Sequence, residues 1–126
     1  ARSLIEALTS ARVARLIAVG GAGSSWVSPT VQLVDTPEFP ESVRPGANDH
    51  RTALGVYKQS DLNWTFVSPA SIFLEGERTA VYRTSAGQRI LDENGESRIT
   101  LEDFAVAMLD EAENGQYVRS HMCAAY

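Results

Sequence analysis

A single cysteine, Cys123, is all the thiol this 126-residue chain contains. It excludes an internal disulfide, and its apolar setting (His121, Met122, Ala124, Ala125) reads as a packed position, so no chemistry is assigned to it. Long apolar runs are missing too. No stretch approaches the ~18 residues needed to cross a bilayer, and no apolar segment follows a basic start as in a secretory leader. The expectation is a cytoplasmic protein without a membrane partner. Positive charge is scarce: 11 Lys and Arg against 16 Asp and Glu give a net charge of -5. A surface of that sign repels polyanions, which argues against nucleic acid as a partner. No His converges with Asp92, Glu93, Asp103, Asp110, Glu111 and Glu113, which spread over a turn and a helix face. They read as solvated surface and no metal is expected. An initiating Met is also lacking, and Ala1 leads straight into helical sequence, which suggests truncation, processing or partial coverage.

What remains is the composition of one globular domain, 44% hydrophobic and 21% charged, without repeats or low-complexity tracts. Ser3 to Ala11 carries Leu4, Ile5, Leu8 and Ala11 at helical spacing. The apolar run from Val13 through Leu16 to Val19 fits a strand buried on both faces of a parallel sheet. From residue 20 to 48 the chain is rich in Gly, Ser and Pro; so long a connection is usually a functional loop. Asp49 is placed as the cap of a helix reaching Ser60, and Leu62 to Val67 as a second buried strand stopped by Ser68 and Pro69.

Residues 76 to 99 change character: Thr79 to Tyr82, Gln88 to Leu91 and Ser97 to Ile99 read as short strands of a small antiparallel excursion, with Asn94-Gly95 as a tight turn. Thr100 and Asp103 resemble a capping box before a helix whose apolar stripe is Leu101, Phe104, Ala105, Met108, Leu109 and Ala112. Asn114-Gly115 closes that helix, and Tyr117 to Tyr126 is a last strand. Alternation of this kind predicts a Rossmann-like α/β fold, a parallel sheet with helices on both faces and right-handed crossovers.

The run Gly20-Gly21-Ala22-Gly23-Ser24-Ser25 follows a buried strand, yet it leads to Trp26, Ser28 and Pro29. A dinucleotide fingerprint leads directly into a helix that holds the pyrophosphate, so that reading is rejected. A tight turn needing glycine torsions is the plainer alternative. Ligands of open parallel sheets bind beyond the carboxyl ends of strands. The turns after the two buried strands should therefore line one crevice, roofed by the long loop and by Ser71 to Gly76.

Three segments together carry a resemblance: Val19 to Ser24; Ser60-Asp61-Leu62-Asn63-Trp64-Thr65-Phe66-Val67-Ser68-Pro69-Ala70; and Glu96 to Ile99 with Leu101-Glu102-Asp103-Phe104-Ala105-Val106-Ala107. The chain is similar, from first helix to end, to the NAD(P)H-binding, NADH-flavin-reductase-like and NmrA-like branch of the atypical short-chain dehydrogenases. The resemblance implies a fold whose glycine-rich N-terminal βαβ half is missing here. It implies that Gly21, Ala22, Gly23 and Ser24 lie against the nicotinamide ribose, and that Ser68, Pro69, Ala70 and Ser71 approach the carboxamide. NADH and NADPH are not distinguished.

The family's usual Tyr-x-x-x-Lys pair, counted back from Pro69, falls near Gly46 and His50, which cannot reproduce its proton transfer. Loss of that pair fits transfer of hydride to a flavin, or to another conjugated small molecule, that needs only alignment of two rings. Ser24 and His50 are the weak catalytic candidates, against a turn serine and a surface histidine. Trp26, Phe39 and Phe73 could stack on such an acceptor or simply anchor their loops. Two other readings stay open: a regulator that binds NAD(P) without turnover, and a self-contained interaction module. A half-sheet leaves an edge uncovered, so association with a missing half or another copy is expected.

Overall fold

The computed structural model describes all of residues 1–126. Helix α1 (Arg2–Ser10) leads into β1 (Arg15–Val19), as the periodicity predicts. The segment beyond β1 is more ordered than its Gly and Pro content suggests. It contains three short 3-10 turns (Ala22–Ser24, Leu33–Asp35, Glu41–Val43) and a hairpin of β2 (Trp26–Ser28) and β3 (Val31–Gln32). Gln32 Nε2 ties the hairpin back by donating to the Ser24 carbonyl at 2.9 Å.

Helix α2 (Arg44–Lys58) begins before the expected Asp49 cap, so the connection is shorter than residues 20 to 48. Pro45 sits in its first turn, where a missing N–H leaves no helical bond unmade. Then come β4 (Asn63–Ser68), β5 (Ile72–Leu74), β6 (Arg83–Ser85), β7 (Arg98–Thr100), α3 (Leu101–Asn114) and β8 (Ser120–Ala125).

The main sheet has the order β1-β4-β8-β6, with the first three strands parallel and β6 antiparallel to β8. Period-two alternation sends Trp64 and Phe66 of β4 to one face, where they meet Leu54 and Tyr57 of α2 with Ile5 of α1 packed alongside. Val67 goes to the other face with Met122 and Ala124, against Phe104 and Ala107 of α3. Helices on both faces of a mainly parallel sheet make the chain Rossmann-like α/β. No helix is long and apolar enough to cross a membrane.

Four expectations change. β1 is not buried on both faces: it forms an edge of the sheet, its residues are half-buried and Val19 is exposed. Residues 76 to 99 do not form an antiparallel unit. Thr79 to Tyr82 is irregular, Gln88 makes only an isolated bridge to Trp26, and β7 pairs β5 in parallel. The pieces go to different partners: β6 adds to the main sheet beside β8, and β7 makes a separate two-stranded sheet with β5.

The buried face of α3 is also rotated from the predicted stripe: Asp103, Phe104, Ala107 and Glu111 face inward, while Leu109 is exposed. Asp103 and Glu111 are therefore core residues, not solvated surface. Thr100 caps the helix as expected, accepting from Asp103 N at 3.1 Å, and Gly115 ends it at φ 60.

Burying two carboxylates requires partners. Glu111 accepts from Arg15 Nη2 at 2.8 Å and from Tyr117 N at 3.0 Å, and its Oε2 lies 3.0 Å from Thr65 Oγ1. This group joins β1, β4, α3 and the approach to β8. Asp103 accepts from the backbone of Thr79 and Ala80 and from the hydroxyls of Thr79 and Tyr126. Burial disfavours its charge, yet these donors outweigh burial and hold its carboxyl below the ordinary range. Because truncation takes the charge partner from Arg15 and the acceptor from Tyr117 N, Glu111→Ala should lower the unfolding free energy by about 3 kcal/mol. Urea denaturation measures this; a loss under about 1 kcal/mol would show that Glu111 is not a structural anchor.

Candidate functional site

The carboxyl ends of β1 and β4 lie side by side, joined beyond the strands by Gly20 N donating to the Val67 carbonyl at 2.7 Å. Packing explains Gly20, since a Cβ there would stand 2.1 Å from Cε1 of Phe66. Beyond Gly21 the chain makes one 3-10 turn, Ala22–Ser24, and does not enter an α-helix.

Beside this turn opens a cavity of about 680 Å³. Gly21, Ala22 and Gly23 line it from the turn, Phe39 and Ser42 from the loop before α2, Gly46 and His50 from α2, and Ser71 from the segment after β4. Six residues proposed from the sequence thus meet in one place: Gly21, Ala22, Gly23, Phe39, His50 and Ser71. Gly46 and His50, where the family's Tyr and Lys would fall, are one helical turn apart and both reach it.

The other proposed residues lie elsewhere. Ser68, Pro69 and Ala70 are buried and do not line the cavity, with Ser68 Oγ 2.8 Å from His121 Nε2. Phe73 stacks edge-on against Phe104 at 4.9 Å, a core contact. Trp26 lines separate cavities on the β2 side. Ser24 directly follows the lining turn and is fully buried, and its Oγ is the one buried side-chain polar atom without a hydrogen-bond partner. A buried hydroxyl left unpaired costs about 1–3 kcal/mol, so its persistence needs a reason.

Sequence reading missed Glu38 and Arg89, which also line the cavity. Arg89 lies far along the chain, in a piece read only as a short strand. It arrives because Trp26 N donates to the Gly87 carbonyl and Arg89 N to the Trp26 carbonyl, at 2.8 and 2.9 Å. No local motif signals such a contact.

Behind the site, burial of His121, with Lys58 nearby, holds its imidazole at about 4 against an ordinary 6.5. Burial likewise pushes the Cys123 thiol up to about 12, only partly opposed by Ser85, which leaves it an inert core residue. Between pH 6.5 and 4 the unfolded chain protonates His121 while the native state does not. Its contribution is therefore complete above pH 6.5 and falls as pH drops through that window, by roughly 3 kcal/mol in all. Urea titrations at a series of pH values should show this loss in the native sequence and a flatter profile in His121→Gln; parallel profiles would rule it out.

A family model described as NAD(P)H-binding matches residues 1–112. Among solved structures, a protein from Burkholderia pseudomallei provisionally named as exported is 45% identical, with a TM-score of 0.96 over 99% of this chain and 61% of its own. A provisionally named epimerase from Bacteroides thetaiotaomicron is 34% identical, with a TM-score of 0.93 over 99% and 59%. A provisionally named NADH-flavin reductase from Streptococcus pneumoniae TIGR4 is 35% identical, with a TM-score of 0.87 over 98% and 62%. The chain thus spans about three fifths of each of these proteins, which carry three different names.

Proposed function

The chain belongs to the NAD(P)H-binding family, and from this we propose that it forms the nicotinamide and acceptor side of an NAD(P)H-dependent reductase acting on a flavin or similarly conjugated acceptor. The observation that carries this reading is the cavity of about 680 Å³ in which Gly21, Ala22, Gly23, His50 and Ser71 meet at the carboxyl ends of β1 and β4. The residues present fit the cofactor: Gly21, Ala22 and Gly23 bring little side-chain bulk to the cavity, and the next residue in the chain, Ser24, keeps a buried hydroxyl without a partner. Gly21, Ala22 and Gly23, with Ser24 next in the chain, would hold the nicotinamide ribose, and Ser71 the carboxamide, the buried Ser68, Pro69 and Ala70 fixing the segment that leads to it. When bound, NAD(P)H supplies a hydride.

The residues of this chain then position and shield. Phe39 and, from α2, Gly46 and Ala47 form one wall of the cavity. Neither Tyr nor Lys lines it, so the proton-transfer pair of the typical enzymes has no counterpart. His50 is the single imidazole at the cavity, and solvent can equally protonate a reduced conjugated acceptor. The open edge of β1 fits an assembly in which further strands, or another copy, cover it.

The absent Tyr-Lys pair also favours a second reading, a regulator that binds the dinucleotide without turnover. Steady-state oxidation of NADH and NADPH with FMN, riboflavin and a quinone separates the two; tight cofactor binding with no turnover on any of them leaves only the regulator. Ser24→Ala should raise the denaturation midpoint slightly, because an unpaired buried hydroxyl is removed, while kcat/KM falls about tenfold, the value of one hydrogen bond. A stability loss without a kinetic effect would make Ser24 a structural residue. With solvent as proton source, His50→Gln should lower kcat far less than the 10²–10⁴-fold that a general acid supplies.

A further inference from the structure

Resting on the reductase reading above, we infer that Arg89 determines acceptor specificity by selecting a molecule with an anionic group, such as a phosphate or carboxylate, and that Glu38 occupies this guanidinium until such a group arrives.

Arg89 is the one arginine in the cavity lining, and it differs from Arg44 and Arg51, which follow the lining residues Val43 and His50 in the chain, in what it already holds. Arg44 is fully engaged: it donates to the carbonyls of Val34 and Phe39, lies over the Phe39 ring at 5.6 Å and pairs with Glu41 at 2.9 Å. Arg51 is committed to Asp35 at 2.6 Å and Asn48 at 2.7 Å. Arg89 donates no side-chain hydrogen bond at all. Its one charged neighbour is Glu38, at 3.6 Å, too far for a strong hydrogen bond. The Glu38 side chain is 67% exposed and that of Arg89 only 26%.

A guanidinium offers five N–H donors in a planar fork that matches carboxylate and phosphate oxygens. Arg89 lines this cavity, and a smaller one beside Trp26, with its guanidinium donors unspent, while its backbone is pinned to Trp26. Pinning lowers the ordering cost of binding. Glu38 is the only carboxylate in the cavity lining, so an incoming anion has one competitor, on a solvent-exposed loop side chain. Such a pair is screened and easily exchanged.

FMN and riboflavin differ by one phosphate and make a matched pair of probes. Fluorescence titrations of the full chain should show FMN bound about tenfold more tightly than riboflavin. In Arg89→Gln the two affinities should converge, while circular dichroism and the urea midpoint stay as in the native chain, because Arg89 makes no structural hydrogen bond. Glu38→Gln should tighten FMN severalfold and leave riboflavin unchanged. Equal affinities in the native chain, a preference that survives in Arg89→Gln, or no binding of either flavin would overturn the inference. Turnover assays separate it from the reductase reading. Arg89-dependent FMN binding without NAD(P)H oxidation on any acceptor would sink the reductase and leave the anion site standing. Turnover with an Arg89-independent ratio of FMN to riboflavin KM would sink the anion site alone.

Discussion

The pairing of β4 with β1 on one side and β8 on the other is the constraint from which the rest of the molecule follows. From Trp64 to Ser68 every residue of β4 is buried, so both faces and both edges of the strand must be satisfied at once. Its apolar side chains recruit α2 to one face and α3 to the other. Thr65, a polar residue on the α3 face, recruits the Arg15-Glu111 pair and with it the start of β1 and the end of α3. The same pairing brings the carboxyl ends of β1 and β4 to one level, so the Gly21–Gly23 turn and Ser71 meet at a single cavity.

Polar groups in this interior are handled in two ways. Glu111 and Asp103 are surrounded by donors that would be lost one by one if either were replaced, so they fix geometry at a high cost of disruption. Asp103 illustrates a division of labour within one helix turn: its backbone N–H bonds the Thr100 cap while its carboxylate anchors residues 79 and 80. Ser24 is the exception, buried but unpaired. It follows directly on Gly23, the last residue of the turn that lines the cavity.

Much of the architecture was legible in the residues. Helical spacing located α1 and α3, the aromatic and β-branched run Trp64 to Val67 located β4, and Thr100 and Gly115 marked the ends of α3. Half of the site was legible as well, because Gly21, Ala22 and Gly23 follow an apolar run and Ser71 follows a Ser-Pro strand end. The β1 edge, the rotated face of α3 and the fate of residues 76 to 99 were not. Periodicity in hydrophobicity reports which side chains prefer burial, and Asp103 and Glu111 are buried against that preference by partners distant in the chain.

By itself, then, the amino-acid sequence determined the α/β alternation, the buried central strand, the glycine turn and the absence of a Tyr-x-x-x-Lys pair. Each of these depends on neighbours within a few residues, through backbone torsion, side-chain alternation or simple spacing. Tertiary structure alone decided that Phe39, His50 and Arg89 share a cavity with the turn, that Trp26 and Phe73 do not, and that Ser24 is left without a partner. These outcomes rest on strand register and on hydrogen bonds between residues tens of positions apart, such as Trp26 with Gly87 and Arg89, for which no local pattern of residues has an energetic signature.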